Sequence, residues 1–175
     1  MNEIETKRAG IALEQVDTDG SFSGYASLFG EVDLGQDVIE RGAFARSLKA
    51  RGVSGIRMLW QHDAGEPIGV WRVIREDARG LYVEGRLARN VPRAHDALEL
   101  MRSGAIDGLS IGFRAVRARK DARSGIRRIH EADLWEISVV TFPMLPAARI
   151  ASVKRWKLPA IPSLARRIRA AAKKF

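Results

Sequence analysis

The chain of 175 residues contains no cysteine. This absence excludes a disulfide framework, a thiol nucleophile and a cysteine-rich zinc site. Histidine is also scarce, and His62, His95 and His130 do not show the spacing of paired metal ligands. We therefore expect neither a metal nor another cofactor in whatever chemistry this protein performs.

Long apolar runs are missing too, although 46% of the residues are hydrophobic. No stretch approaches the roughly 20 apolar residues that a spanning helix needs, and the charged residues 1–8 are not followed by an apolar segment. The composition fits one globular domain with an adequate core. We expect a cytosolic protein that does not partner a membrane.

Acidic residues are absent after Glu136, whereas nine basic residues follow it. Residues 1–136 carry 21 basic and 21 acidic side chains, so the net charge of +9 belongs to the C-terminal end. We predict a folded domain over residues 1–153 and a basic tail over 154–175. A neutral body without an aromatic-rich or glycine-clamped RNA motif does not favour a nucleic-acid partner.

The hydrophobic pattern predicts many short strands and few helices. Alternating or compact apolar segments predict strands at residues 11–16, 22–29, 57–61, 68–74, 81–87, 111–116, 126–130 and 134–141. Ala94, Ala97, Leu98 and Met101 form a helical stripe that begins after Pro92 and that Gly104 is placed to stop, and residues 43–48 are at most a short helix. Without regular βαβ alternation, this pattern favours an antiparallel barrel.

Three residues have the types needed for nucleophilic catalysis by serine. Ser110 lies between Gly108 and Gly112, His62 lies far upstream, and Glu136 lies downstream. A serine is a weak nucleophile unless an imidazole accepts its proton and a third group orients that imidazole. The trio therefore indicates a serine hydrolase.

The G-x-S-x-G match suggests an α/β-hydrolase, whose nucleophile follows a strand and precedes a helix. Here the order is reversed, because Ser110 opens a predicted strand after a predicted helix. The order Ser, Asp/Glu, His of that fold is also missing, since only His130 follows Ser110. A small-molecule esterase of this type remains an alternative, as does a scaffold-binding protein without activity.

Several short motifs occur together in a fixed order: GYASLF at 24–29, ERGAF at 40–44, WQH at 60–62, PIG at 67–69, GLSIGF at 108–113 and LWEISVVT at 134–141. In this combination and order, the chain resembles the prohead protease family of tailed bacteriophages. The resemblance implies a serine endopeptidase of capsid maturation, with a closed antiparallel β-barrel surrounded by helices like that of the herpesvirus assemblin. Gene transfer agents encode similar proteases.

The same resemblance implies roles for individual residues. Ser110 matches the nucleophile, His62 the general base and Glu136 the third member that orients the imidazole. Asp133 and His130 are alternatives for the third role, because herpesvirus proteases use a second histidine there. The oxyanion hole has no visible signature, and Arg149 is a candidate for it.

The resemblance also implies partners and a location. The expected substrates are the N-terminal scaffolding segment of the major capsid protein or a separate scaffold protein, and the protease itself. The herpesvirus relatives suggest a homodimer. We expect the protein in the cytoplasm of a bacterial host, inside the procapsid.

Overall fold

The computed structural model describes residues 20–153, which form eight strands and two α-helices. In chain order they are β1 (Ser21–Leu28), β2 (Asp37–Ile39), α1 (Ala45–Arg51), β3 (Arg57–Trp60), β4 (Asp63–Glu76), β5 (Gly80–Leu87), α2 (Pro92–Arg102), β6 (Gly108–Lys120), β7 (Arg127–Val140) and β8 (Ile150–Val153). The strand predicted at 11–16 and the tail predicted at 154–175 lie outside the described residues. No helix within 20–153 has the length and apolar character to span a membrane.

Strand β7 organises the sheet because it is paired along both edges. On one edge it runs antiparallel to β6, and on the other it runs parallel to β2 and then to β3. From β3 the sheet continues through β4, β5 and β1 to β8 by antiparallel pairing. Glu136 is therefore on β7 itself, Ser110 is on the neighbouring strand β6, and His62 is in the turn that follows the other neighbour, β3.

The mainly β class with few helices is confirmed, but the closed, fully antiparallel barrel is wrong. The sheet is an open half-barrel whose outer strands, β6 and β8, do not form a ladder with one another. The two edges approach at a single bridge between Gly108 and Arg149. Beyond this point β6 follows the long strand β7 away from β8, and the parallel pairings of β2 and β3 add a second departure from the prediction.

Most predicted elements are confirmed within a few residues. Segments 126–130 and 134–141, predicted as two strands, form the one strand β7, whose ladder with β6 contains register shifts. Strands β2 and β8 were not predicted, because three or four residues are too few to establish a period of two.

The core lies on the concave side of the half-barrel, and α2 closes part of it. The four apolar residues of the predicted stripe, Ala94, Ala97, Leu98 and Met101, are the buried residues of this helix. Pro92 occupies the first turn, and Gly104 adopts a positive φ of 73° just after the helix ends at Arg102. The stripe and its stop signals therefore predicted both the burial and the bounds of α2.

Helix α1 is fixed to β7 by one buried serine. Ser47 is only 6% exposed, and its Oγ accepts a hydrogen bond of 2.9 Å from the backbone N–H of Leu134. Leu134 is fully buried and lies two residues before Glu136. This contact thus supports the part of β7 that carries the candidate site.

Replacement of Ser47 by alanine should destabilise the protein by about 1–3 kcal/mol, because it leaves the buried Leu134 N–H without an acceptor. Ser54→Ala is the matched control, since Ser54 is exposed. The free energy of unfolding from urea titration measures the difference. Equal stability of the two variants would contradict the role given to Ser47.

Candidate active site

His62 lies in a two-residue turn that joins β3 to β4. Trp60 pairs with Asp63 across the hairpin, and the two central residues, Gln61 and His62, have φ values of 52° and 62°. This left-handed pair is the backbone of a type I′ turn, which usually takes asparagine and glycine. Each non-glycine residue in such a conformation costs about 1–3 kcal/mol, so other contacts must hold the turn in place.

The C-terminal end of β7 supplies those contacts. The Gln61 amide donates to Thr141 Oγ1 at 2.8 Å and accepts from Thr141 N at 3.2 Å. The backbone N–H of Gln61 donates to the carbonyl oxygen of Val139 at 3.0 Å. These hydrogen bonds anchor the turn and determine where the His62 imidazole points.

The imidazole lies against Glu136. His62 Nδ1 and Glu136 Oε1 are 2.6 Å apart, and the other carboxylate oxygen accepts a 2.6 Å hydrogen bond from Ser138 Oγ. Ser138 Oγ in turn accepts a hydrogen bond from the backbone N–H of His62 at 3.2 Å. The result is a closed network in which β7 holds both the ring and the backbone of His62.

Electrostatics of this network favour the charged imidazole. The hydrogen bond to Glu136 raises the pKa of His62 above its ordinary value, while partial burial acts in the opposite direction and the carboxylate charge adds to the increase. The Glu136 side chain is 13% exposed and the His62 side chain 42%. The carboxylate is thus shielded from water, while the imidazole stays accessible from outside.

Gly112 provides the space that the Glu136 side chain occupies. The two residues are opposite one another in the β6–β7 ladder, and a Cβ at position 112 would lie 2.7 Å from Glu136 Cδ. Gly108 is equally confined, because a Cβ there would lie 2.9 Å from Pro143 Cδ. The two glycines that flank Ser110 therefore permit close packing and do not form a nucleophile elbow.

Ser110 lies on β6 directly opposite Ser138. Directly opposite residues of an antiparallel pair project from the same face with Cβ atoms about 4.5–5.5 Å apart, so Ser110 lies beside the network. It is 3% exposed and lines a small cavity together with Leu28, Ile39, Ile111 and Met144. Among the hydrogen bonds of residues 20–153, none joins Ser110 Oγ to His62.

The structure thus brings His62 and Glu136 into direct contact. It places Ser110 opposite Ser138, which forms hydrogen bonds with both of them. It places the alternative third members elsewhere. Asp133 accepts two 2.9 Å hydrogen bonds from Arg51 and one from Trp135, which lower its pKa to about 2. His130 precedes Glu136 by six positions on the same strand, or about 20 Å.

Arg149 is engaged by its own surroundings. Its guanidinium forms an ion pair with Asp107 and donates a 2.6 Å hydrogen bond to the carbonyl oxygen of Pro146. These bonds do not involve Ser110, so the geometry gives no support to an oxyanion role for this side chain.

Ser138, Gln61 and Thr141 contribute to the site although the sequence had indicated no role for them. Ser138 had a usable signal, because residues two apart on a strand share a face and Glu136 was already a candidate. Gln61 and Thr141 lie within two of the quoted motifs, but the motifs did not indicate that the two side chains contact each other, since 80 residues separate them along the chain.

The arrangement permits proton transfer at the outer nitrogen of the imidazole. When the Nδ1–H group donates its hydrogen bond to Glu136, the Nε2 lone pair of a neutral His62 is available as a base. Within the described part of the chain, no group of three or more histidine, aspartate or glutamate side chains is arranged to hold a metal ion.

Comparison with known proteins gives a family and a set of relatives. Residues 9–160 match the family model of the caudovirus prohead serine protease. The prohead protease of Enterobacteria phage HK97 is 36% identical over 137 residues, which are 77% of this chain and 60% of that protein. A capsid polyprotein of Pseudomonas phage PAJU2 is 31% identical over 160 residues, which are 86% of this chain but 23% of the polyprotein. The chain therefore spans less than two thirds of the length of either relative.

Two solved structures share the fold at low sequence identity. The capsid assembly protease of bacteriophage T4 is similar with a TM-score of 0.57 and 13% identity, over 69% of this chain and 81% of that one. The KSHV protease, solved in complex with a hexapeptide phosphonate inhibitor, is similar with a TM-score of 0.51 and 10% identity, over 89% of this chain and 75% of that one. The half-barrel is thus a herpesvirus-protease-like fold.

Replacement of Glu136 by glutamine should lower the pKa of His62, because it removes the negative charge and the charge-assisted hydrogen bond. The imidazole can be titrated by NMR, with its signals assigned from His62→Ala. Glu131→Gln is the control, since the Glu131 carboxylate is on the same strand but pairs with Arg46. An unchanged pKa in Glu136→Gln would mean that the contact does not control the imidazole.

Replacement of Gly112 by alanine should lower the pKa of His62 in the same direction, because the added methyl group displaces the Glu136 carboxylate. The double variant Gly112→Ala/Glu136→Gln should show no further decrease beyond Glu136→Gln alone, since both changes remove one interaction. Additive decreases in the same NMR titration would show that Gly112 acts through a different route.

Proposed function

Because this chain belongs to the caudovirus prohead serine protease family, we propose that it is a serine endopeptidase that processes the capsid or scaffold protein, and itself, during prohead maturation. The observation that carries the proposal is the 2.6 Å contact between His62 Nδ1 and Glu136 Oε1, beside a buried serine. A base oriented in this way is what a serine nucleophile requires.

Each member of the trio has one role in this mechanism. Glu136 accepts a hydrogen bond from the Nδ1–H group without taking its proton, holds the imidazole in one tautomer and stabilises the imidazolium that forms. His62 Nε2 accepts the hydroxyl proton of Ser110 as Oγ attacks the peptide carbonyl carbon. The imidazolium then donates that proton to the leaving amine, and a water activated by the same imidazole releases the acyl group from Ser110.

The cross-strand position of Ser110 supports this assignment. A catalytic hydrogen bond between nucleophile and base is commonly long before substrate binds and tightens in the complex. Ser138 is opposite Ser110 on β7 and forms hydrogen bonds with both Glu136 and His62. It is a positioning residue, and it acts through the carboxylate and the turn rather than on the substrate.

A polypeptide substrate is favoured by the free edge of β6. Beyond the bridge at Gly108, no strand within 20–153 pairs with the outer edge of the strand that carries Ser110. An extended peptide can add to such an edge by main-chain hydrogen bonds and present its carbonyl to Ser110. The match to a capsid polyprotein supports a capsid protein as that substrate.

The other function classes are less well supported. The α/β-hydrolase alternative does not fit the fold, because α2 precedes Ser110 and a strand follows it, which reverses the order of that fold. A scaffold-binding protein without activity would not need a strained turn that aims His62 at a buried carboxylate. Processing by the wild type and loss of processing in Ser110→Ala separate a protease from such a protein.

The remaining parts of the proposal concern assembly. The protease domain covers residues 1–153, the basic segment 154–175 docks the protein to an acidic surface inside the procapsid, and the active form is a homodimer. The protein acts inside the procapsid in the cytoplasm of a bacterial host, whether a phage or a gene transfer agent encodes it. Sedimentation velocity of the full chain tests the dimer, and a chain ended after Val153 that fails to fold would refute the domain boundary.

Ser110→Ala and His62→Ala should each abolish processing of the capsid protein, and the double variant should be little worse than either, because members of one catalytic unit are not additive. Mass spectrometry of the capsid protein after co-expression with each variant measures trimming at a specific site. Near-normal cleavage by His62→Ala would disprove the base assignment.

Glu136→Gln should lower the rate by about 10³- to 10⁴-fold, by analogy with loss of the orienting carboxylate in other triads. Wild-type activity should fall as the pH decreases through the raised pKa of His62, since only the neutral imidazole is a base. Glu136→Gln should move this acid limb to lower pH, whereas the control Glu131→Gln should leave it in place.

A further inference from the structure

The distal part of the β6–β7 hairpin, residues 114–128, is strongly cationic, and we call it the arm. It contains seven arginines and lysines and one acidic residue, Asp121. The side chains on β6 from Arg117 to Lys120 are all exposed. The arm therefore concentrates positive charge in a body whose overall charge is balanced.

The two strands of the arm differ in how their cations are compensated. On β7, Arg127 forms two hydrogen bonds of 2.7 and 2.5 Å with Asp37, and Arg128 forms one of 2.6 Å with Glu40. On β6, Arg114 pairs with Asp133, and Arg117 is opposite Glu131, which pairs with Arg46. The side chains of Arg117, Arg119 and Lys120 form no hydrogen bond or ion pair within the described residues. The uncompensated charge is thus on the outer strand.

The turn of the arm contains a further cation, Arg123, and one carboxylate, Asp121, to balance the positive charge. Arg123 also lacks an ion pair within residues 20–153. The Asp121 carboxylate accepts hydrogen bonds from Ser124 N, Ser124 Oγ and Arg123 N, which commit it to the turn. The charge of Arg119 also acts on Asp121. Within the described residues, this one carboxylate is shared among four basic side chains that form no ion pair.

Like charges also face each other across the arm. Arg119 is opposite Arg128, and Lys120 is opposite Arg127. Directly opposed like charges destabilise a strand pair. A hairpin that served only to extend the sheet would be more stable with a neutral or acidic residue at 119 and 120, so the sheet itself does not require these cations.

The arm is continuous with the edge that carries Ser110. Arg119 lies about nine strand positions, or about 30 Å, beyond Ser110 on β6. The backbone N–H of Leu109 donates to the carbonyl oxygen of Ala148, but from Ser110 to Lys120 no strand within the described residues pairs with the outer edge of β6. An extended polypeptide that reaches Ser110 along this edge also passes the unpaired cations.

We propose that the outer edge of β6 from Arg117 to Lys120, together with Arg123, is an exosite for an acidic, extended segment of the substrate polypeptide. This inference rests on the proposed function. Acidic side chains at alternate positions of the added strand would face Arg117 and Arg119, which share a face, while main-chain hydrogen bonds hold the register. The segment lies about nine residues from the scissile bond.

A polypeptide fits the arm better than a nucleic acid does. Residues 114–128 contain no aromatic side chain on which a base could stack. The free N–H and C=O groups of an edge strand pair with another strand, which a nucleic acid does not offer. A nucleic acid remains an outcome that the experiment detects.

Binding can be measured without catalysis on the full chain carrying Ser110→Ala. The probe is a fluorescein-labelled 12-residue peptide of alternating glutamate and threonine, followed by anisotropy. We expect Arg119→Glu/Lys120→Glu to weaken binding by at least about tenfold at physiological salt. Arg72→Glu/Arg86→Glu is the matched control, because both residues are exposed on β4 and β5 and the charge change is the same. It should alter binding less than twofold.

The neutral variant Arg119→Gln/Lys120→Gln is a control for misfolding caused by charge reversal. Its loss of peptide affinity should be intermediate between none and that of Arg119→Glu/Lys120→Glu. An equal loss in the control pair, or binding of a 20-base-pair DNA duplex tighter than that of the peptide, would overturn the proposal. A control peptide of the same length with alternating lysine and threonine should bind more weakly. Binding of this peptide as tightly as the glutamate–threonine peptide would also overturn the proposal.

Cleavage distinguishes this inference from the function on which it rests. Two peptides with the cleavage sequence found by mass spectrometry, one with an acidic block nine residues away and one with a neutral block, are compared by kcat/KM. We expect the wild type to prefer the acidic peptide at least about fivefold, and Arg119→Glu/Lys120→Glu to lose that preference while cleaving the neutral peptide normally. Equal kcat/KM values for both peptides would refute the exosite and leave the protease function intact. Arm-dependent binding without any cleavage by the wild type would refute the protease function and leave a site for acidic peptides.

Discussion

The two-sided pairing of β7 is the constraint on which the site depends. Its antiparallel ladder with β6 sets Ser110 opposite Ser138 and Gly112 opposite Glu136. Its parallel ladder with β3 brings the end of β3, and therefore the turn at His62, to the same end of the sheet. A one-residue slip in either ladder would move a whole set of side chains to the opposite face, so the buried residues on β7 also protect the geometry of the site.

Within that frame, local strain and close packing are concentrated around one carboxylate. The left-handed turn at Gln61 and His62 is unfavourable by itself and persists because β7 supplies acceptors for the turn through Val139, Ser138 and Thr141. Gly112 leaves room for the carboxylate of Glu136 over β6. Gly112 of the G-x-S-x-G motif and the turn at His62 thus have the same effect: they hold the Glu136 carboxylate, which is shielded from water, against the His62 imidazole.

Charge in this protein is distributed more locally than its totals indicate. The sum over residues 1–136 is zero, yet the arm holds a cluster of uncompensated cations on β6 while the cations of β7 are paired. A sum along the chain cannot reveal this difference, because Asp37 and Glu40 pair with the cations of β7, whereas Arg117, Arg119 and Lys120 of β6 form no ion pair within 20–153. The same edge strand carries both this charge and Ser110, which links recognition to the candidate site through a single element.

The sequence by itself determined what depends on neighbours along the chain. The spacing of Ala94, Ala97, Leu98 and Met101, with a start at Pro92 and a stop at Gly104, specified α2. The alternation after Ser110 specified β6, because helix and strand periods are local properties. Residue chemistry and the order of the motifs also selected Ser110, His62 and Glu136.

Only the tertiary structure decided the parallel pairing of β3 with β7, the open edge of the half-barrel, the place of Ser138 in the network and the reason for Gly112. The tertiary structure also decided that Glu136 and not Asp133 contacts His62, since Arg51 of α1 pairs with Asp133. These features join residues that are tens of positions apart. Strand register and cross-strand contact are determined by which faces are buried together, and a single chain read in order does not contain that information.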